Sequence, residues 1–155
     1  LTFSGRIDRL DKCSSGMIRV IDYKTGVTVR EIETGYRTGG SLQLPIYLYA
    51  AAHLEGISMS LCNAEYHYIS DHTDYRRLTL NGKDLAKDNR FSEVLAAITD
   101  GINSGYFFYN PGIDRKNCRL CDFTDICHVR VEDLSNRKLH KSRDITNSFK
   151  SIRGK

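Results

Sequence analysis

An α/β fold, a mixed β-sheet flanked by helices, follows from three features of the chain. Two strand-like runs lie on either side of a Ser-Ser-Gly turn, and a helix-patterned segment follows, with Pro45 in its first turn and Gly56 at its end. A second pair of strand-like runs then leads into another helix-patterned segment. The order strand–strand–helix–strand–strand–helix sets helices against a sheet.

Each element has a local reason. In "TFSGRIDRLDK", residues 2–12, Phe3, Gly5, Ile7 and Arg9 alternate with Ser4, Arg6, Asp8 and Leu10, which predicts a strand. "SSG" at 14–16 is turn chemistry, and "MIRVIDYK" at 17–24 predicts the returning strand of an antiparallel hairpin. Residues 25–40, with several Gly and Thr, read as a loop. "SLQLPIYLYAAAHLEG" predicts a helix capped by Ser41 and stopped by Gly56. "LCNAEYHYIS" at 61–70 predicts a third strand with Ala64, Tyr66 and Tyr68 on one side, where packing explains both tyrosines. "DYRRLTL" at 74–80 predicts a fourth, paired through the polar turn at 71–73. "GKDLAKDNRFSEVLAAITDGINSG" predicts one long helix with Phe91, Val94, Leu95, Ile98 and Ile102 on its buried face.

Bulk properties narrow the function classes. A chain of 155 residues fits one domain, and 40% hydrophobic with 27% charged residues describes a soluble globular protein. No apolar run approaches the ~20 residues that cross a bilayer, so no membrane partner is expected. The chain opens without Met in a strand-like pattern and reads as part of a longer polypeptide. Residues 128–155 hold eight Lys or Arg against three Asp or Glu, a basic tail that suits either solvation or phosphate contact.

The chemistry concentrates in "VIDYKTG". Asp22 and Lys24, two apart on a strand, share a face, and the hairpin sets Asp8 roughly opposite Asp22. Like charges facing across a ladder are unfavourable. Either Arg6, Asp8, Arg9, Asp22 and Lys24 form solvated surface ion pairs, or the two carboxylates share a divalent cation, with Lys24 beside it for a phosphate or an attacking water.

"GRIDRLD", then "VIDYKTG", then "QLPIY" on a helix resembles the PD-(D/E)XK nuclease superfamily, more closely its RecB-like branch. The resemblance implies a restriction-endonuclease-like mixed sheet flanked by helices, here without the family's N-terminal helix. It implies Mg²⁺ or Mn²⁺ held by Asp8, Asp22 and the Tyr23 backbone carbonyl, with Lys24 catalytic. Gln43 and Tyr47, four apart on one helix face, would orient Lys24 or touch DNA.

Cys118, Cys121 and Cys127, spaced C-x2-C-x5-C, point to metal or cluster binding, since an odd set of five clustered cysteines is unlike a disulfide framework. The run resembles the C-terminal part of AddB-type iron–sulfur nucleases, in which a fourth cysteine upstream of the core completes a four-iron cluster. Cys13 and Cys62 do not match that ligand and read as ordinary small residues. Zinc with His128 as fourth ligand is the lesser option. His53, His67, His72 and His140 fit no metal spacing with one another.

The implied protein is a bacterial, cytoplasmic deoxyribonuclease, an exonuclease of DNA repair and recombination. Its core would be residues 1–128, including the cysteine segment 118–127, and its basic tail 129–155. Its partners would be DNA and a helicase–nuclease subunit or an N-terminal helicase-like region. The alternative is a non-catalytic iron–sulfur or zinc scaffold that binds DNA.

Overall fold

The computed structural model describes residues 2–27, 32–106, 111, 113–119, 121–127, 130–131, 133–134 and 137. The chain divides into two compact units, Leu1–Leu95 and Ala96–Lys155. In the first, β1 (Arg9–Lys12) and β2 (Ile18–Lys24) form the hairpin, α1 (Ile32–Arg37) and α2 (Gln43–Glu55) follow, and β3 (Cys62–Tyr68) and β4 (Arg77–Asn81) form a second antiparallel pair. Helices α3 (Gly82–Leu85) and α4 (Arg90–Asn103) come next, α4 running across the boundary between the units. The sheet order is β1-β2-β3-β4, and β2 pairs with β3 in parallel, so the sheet is mixed. The expected α/β class holds.

The core forms where α2 covers one face of the sheet. Ile18 and Val20 of β2, and Cys62, Ala64, Tyr66 and Tyr68 of β3, are buried at alternate positions. Leu44, Leu48, Ala51 and Ala52 of α2 meet them, at the helical spacing that gives one apolar stripe. Cys62 is a buried core residue and Cys13 is exposed, both free thiols. Among the described residues no helix is long and apolar enough to cross a membrane.

Four expectations change. The first strand is not residues 2–12 but Arg9–Lys12. The Asp8 carboxylate, rather than a backbone carbonyl, takes the Tyr23 N–H at 3.0 Å, and the Arg6 carbonyl accepts from the Tyr47 hydroxyl at 2.6 Å, so the ladder ends at Arg9. The loop 25–40 contains α1, held by Tyr36, which is 4% exposed and donates its hydroxyl to Asp88 at 2.7 Å. Tertiary packing outweighs the weak helix propensity of its Thr and Gly. Ser41 does not cap α2. Leu42 occupies that position without a side-chain bond, while Ser41 meets the Tyr66 hydroxyl at 3.2 Å; Gly56 does close the helix, in a left-handed conformation at φ 64°.

The long helix after β4 is two helices. Asn81 caps α3 by accepting from the Lys83 N–H at 2.8 Å, and Asp88 starts α4 by accepting from the Arg90 N–H at 2.9 Å. Gly82 lies so close to β3 that a Cβ would sit 2.1 Å from the Met59 carbonyl oxygen and 2.5 Å from that of Cys62. Phe91 and Val94 are buried as expected, whereas Ile102 is 49% exposed.

Candidate active site

Strand and helix ends converge at Asp22. The β1–β2 register pairs Arg9 with Ile21 and Leu10 with Val20, and its continuation sets Asp8 opposite Asp22. Asp22 lies on the core-facing side of β2 and is 3% exposed. A carboxylate at that depth needs partners. Gln43 Nε2 donates to its Oδ1 at 2.7 Å, and Lys24 Nζ lies 2.5 Å from its Oδ2. The lysine contact is an ion pair without good hydrogen-bond alignment, so Oδ2 accepts no well-directed bond.

Gln43 closes a triangle. Its Oε1 accepts from Lys24 Nζ at 2.8 Å, while its Nε2 is shared with the Tyr47 hydroxyl at 3.0 Å. Tyr47 in turn donates to the Arg6 carbonyl, which tethers the segment leading into Asp8 to α2. The spacing of four sets Gln43 and Tyr47 on one face at the start of α2, and Pro45 between them fits because an early helical position leaves no intrahelical use for its missing N–H. Lys24 is 28% exposed at its side chain, and its Nζ lies 4.7 Å from the centre of the Tyr66 ring. The structure therefore brings Asp8, Asp22, Lys24, Gln43 and Tyr47 to one end of the β1–β2 hairpin.

The sequence model of the PD-(D/E)XK nuclease superfamily matches residues 1–128, a span that holds all five. The chain belongs to that superfamily. No curated protein and no solved structure gives a significant match. The mixed sheet with flanking helices is the restriction-endonuclease-like fold of PD-(D/E)XK nucleases.

Nucleases of this superfamily typically use divalent metals, and the oxygen donors here suit a hard cation. Asp8 is exposed, the Asp22 Oδ2 has an unfilled acceptor direction, and Tyr23 turns its N–H toward Asp8. In an extended strand the C=O of Tyr23 points to that same edge. Two carboxylates and a carbonyl leave positions for water and phosphate oxygens, which is how Mg²⁺ is usually held. Among the described residues no group of three or more His, Cys, Asp or Glu side chains comes together as a metal site.

Cys118 ends a 3-10 turn, Ile113–Cys118, and the Cys121 N–H bonds back to its carbonyl at 3.2 Å. Cys121 is exposed, Cys118 and Cys127 are half-buried, and the three thiols are not gathered around a common point. A four-iron cluster takes four thiolates, so these three do not fit it by themselves. His128 and His140 lie outside the described residues. His67 pairs with Glu65 at 2.6 Å rather than with another histidine.

A groove of about 710 Å³ opens beside Gln43 and Tyr47, between residues 3–7 and the α2 face that carries Ile46, Ala50 and Leu54. Its walls are largely apolar, with Arg6 the one basic residue among the described residues lining it, far less positive charge than a groove that tracks a phosphate backbone carries. The one site residue that sequence reading missed is Tyr66, taken there as packing alone. Its place beside Lys24 depends on the parallel β2–β3 register, which pairs Tyr66 with Asp22 and leaves no local sequence signal.

Proposed function

We propose that the chain is a Mg²⁺- or Mn²⁺-dependent deoxyribonuclease of the RecB-like, AddB-type branch, acting as an exonuclease in DNA repair and recombination. The observation that carries the proposal is the Asp22–Lys24–Gln43 triangle built on a buried carboxylate, with Asp8 just before the neighbouring strand β1. Surface ion pairs do not account for it, since Asp22 is 3% exposed and its carboxylate is held from two sides.

Asp8, Asp22 and the Tyr23 carbonyl would hold the cation. When bound, the metal supplies charge neutralisation at the phosphate and a lowered pKa for its water. The protein's own groups do the rest. Lys24 presents an ammonium group to the phosphate oxygens, on which negative charge builds as water adds to phosphorus and the P–O bond to the sugar breaks. Gln43 fixes Lys24 through its carbonyl and Asp22 through its amide, so neither rotates away. Tyr47 ties that pair to the segment before β1 that carries Asp8.

On this reading the nuclease core is residues 1–128 and residues 129–155 form a basic tail. DNA is the partner, with a helicase-like subunit or region supplying unwound strand, in the bacterial cytoplasm. Cys118, Cys121 and Cys127 would serve an iron–sulfur cluster only together with a fourth thiolate from elsewhere. Lys24→Ala tests the proposal in a nuclease assay with Mg²⁺ or Mn²⁺. The expected result is loss of cleavage with DNA binding retained, and in the parent protein the same loss on adding a chelator. Equal cleavage by variant and parent, or cleavage indifferent to chelation, would favour a non-catalytic DNA-binding scaffold for this site.

A further inference from the structure

We infer that Tyr66 is a positioning residue for Lys24, its ring face steering the ammonium group into the space beside Asp22. The inference rests on the nuclease reading above and adds to it a residue outside its motifs. Lys24 is a flexible four-carbon stem with a compact charge, and it populates many rotamers unless its surroundings exclude them. Three groups do so here. Gln43 Oε1 accepts one bond at 2.8 Å, the Asp22 carboxylate lies at 2.5 Å, and the Tyr66 ring centre is 4.7 Å from Nζ. That separation is inside the ~6 Å range in which a ring quadrupole attracts a cation.

The ring is itself fixed. Tyr66 is 2% exposed, its hydroxyl meets Ser41 Oγ at 3.2 Å just before α2, and its edge packs against Tyr68 with ring centres 6.4 Å apart at 70°. Parallel pairing of β2 with β3 sets Tyr66 directly beside Asp22 and Tyr68 beside Lys24. A rigid aromatic face thus stands next to a mobile charge. Core packing alone would require only the volume of the ring, not the electron density on its face, and this difference can be measured.

The experiment replaces Tyr66 in the whole protein by phenylalanine, 3,5-difluorophenylalanine and 3,4,5-trifluorophenylalanine. Shape is nearly constant along this series while the negative face is progressively drained. Tyr66→Phe is expected to keep kcat within about twofold of the parent, because the face remains. The trifluoro variant is expected to lose about tenfold in kcat, equivalent to about 1.4 kcal/mol, with KM for a DNA oligonucleotide and thermal stability little changed. A flat kcat across the series, in a protein that Lys24→Ala inactivates, would overturn the role of Tyr66 and leave the nuclease reading intact. Full activity of Lys24→Ala would overturn both.

Discussion

Replacing Gln43 by leucine removes both ends of the bridge while keeping an apolar side chain of similar size. Two charge-assisted bonds disappear, from Lys24 Nζ to Oε1 at 2.8 Å and from Nε2 to Asp22 Oδ1 at 2.7 Å. Bonds to charged groups are worth ~1.5–3 kcal/mol each, so the two together set an upper range of ~3–6 kcal/mol. The Asp22–Lys24 pair at 2.5 Å survives the substitution, and it restrains part of what Gln43 restrained. We therefore expect about half of that range, ~1.5–3 kcal/mol, to appear as lost transition-state stabilisation, or roughly 10- to 150-fold in kcat/KM. The buried Asp22 Oδ1 also loses its donor, which lowers folding stability by ~1–3 kcal/mol. The assays are steady-state cleavage of a labelled DNA strand in Mg²⁺ or Mn²⁺ and thermal unfolding of the same samples. Cleavage within threefold of the parent, from a protein whose stability has fallen as expected, would refute the claim that Gln43 orients the charged pair.

Two further predictions concern the scaffold. The hydroxyl of Tyr36, then the Arg90 N–H and the Arg37 guanidinium, hold the Asp88 carboxyl below its usual range. The unfolded chain then binds the proton more readily than the native state, so this stabilisation is complete above about pH 4 and is lost as pH falls through the native value below it. Asp88→Asn is expected to flatten that acid limb in a series of denaturation midpoints against pH, and an unchanged limb would contradict the assignment. Gly82→Ala should prevent normal folding or lower the thermal midpoint by many degrees, because a Cβ there would lie 2.1 Å from the Met59 carbonyl oxygen; a midpoint equal to the parent's would show that the approach is looser than the structure has it.

Much of the site is legible in the sequence because its spacings are local. Asp22 and Lys24 share a face by strand alternation, and Gln43 and Tyr47 by the helical turn, so neither pairing needs tertiary information. The hairpin turn likewise brings Asp8 opposite Asp22. Long-range packing decides what was missed. Residues 2–7 alternate like a strand, yet Tyr47, from a helix forty residues on, engages the Arg6 carbonyl and no ladder forms there. Helix α1 exists because Tyr36 and Arg37 reach Asp88, a partner about fifty positions away. The same Asp88 ends the apparent continuity of the helix after β4, where apolar spacing alone suggested a single run. Tyr66 looks like any core-facing tyrosine until the parallel register is known.

The nuclease reading requires Asp8, just before β1, and Asp22 of β2 to share one cation next to the Lys24 ammonium group. Anomalous diffraction from crystals of the protein grown with Mn²⁺ tests it most directly. The expected result is a manganese peak coordinated by Asp8 and Asp22, absent when both are changed to asparagine. Manganese bound elsewhere, or a peak that persists in the double variant, would contradict it.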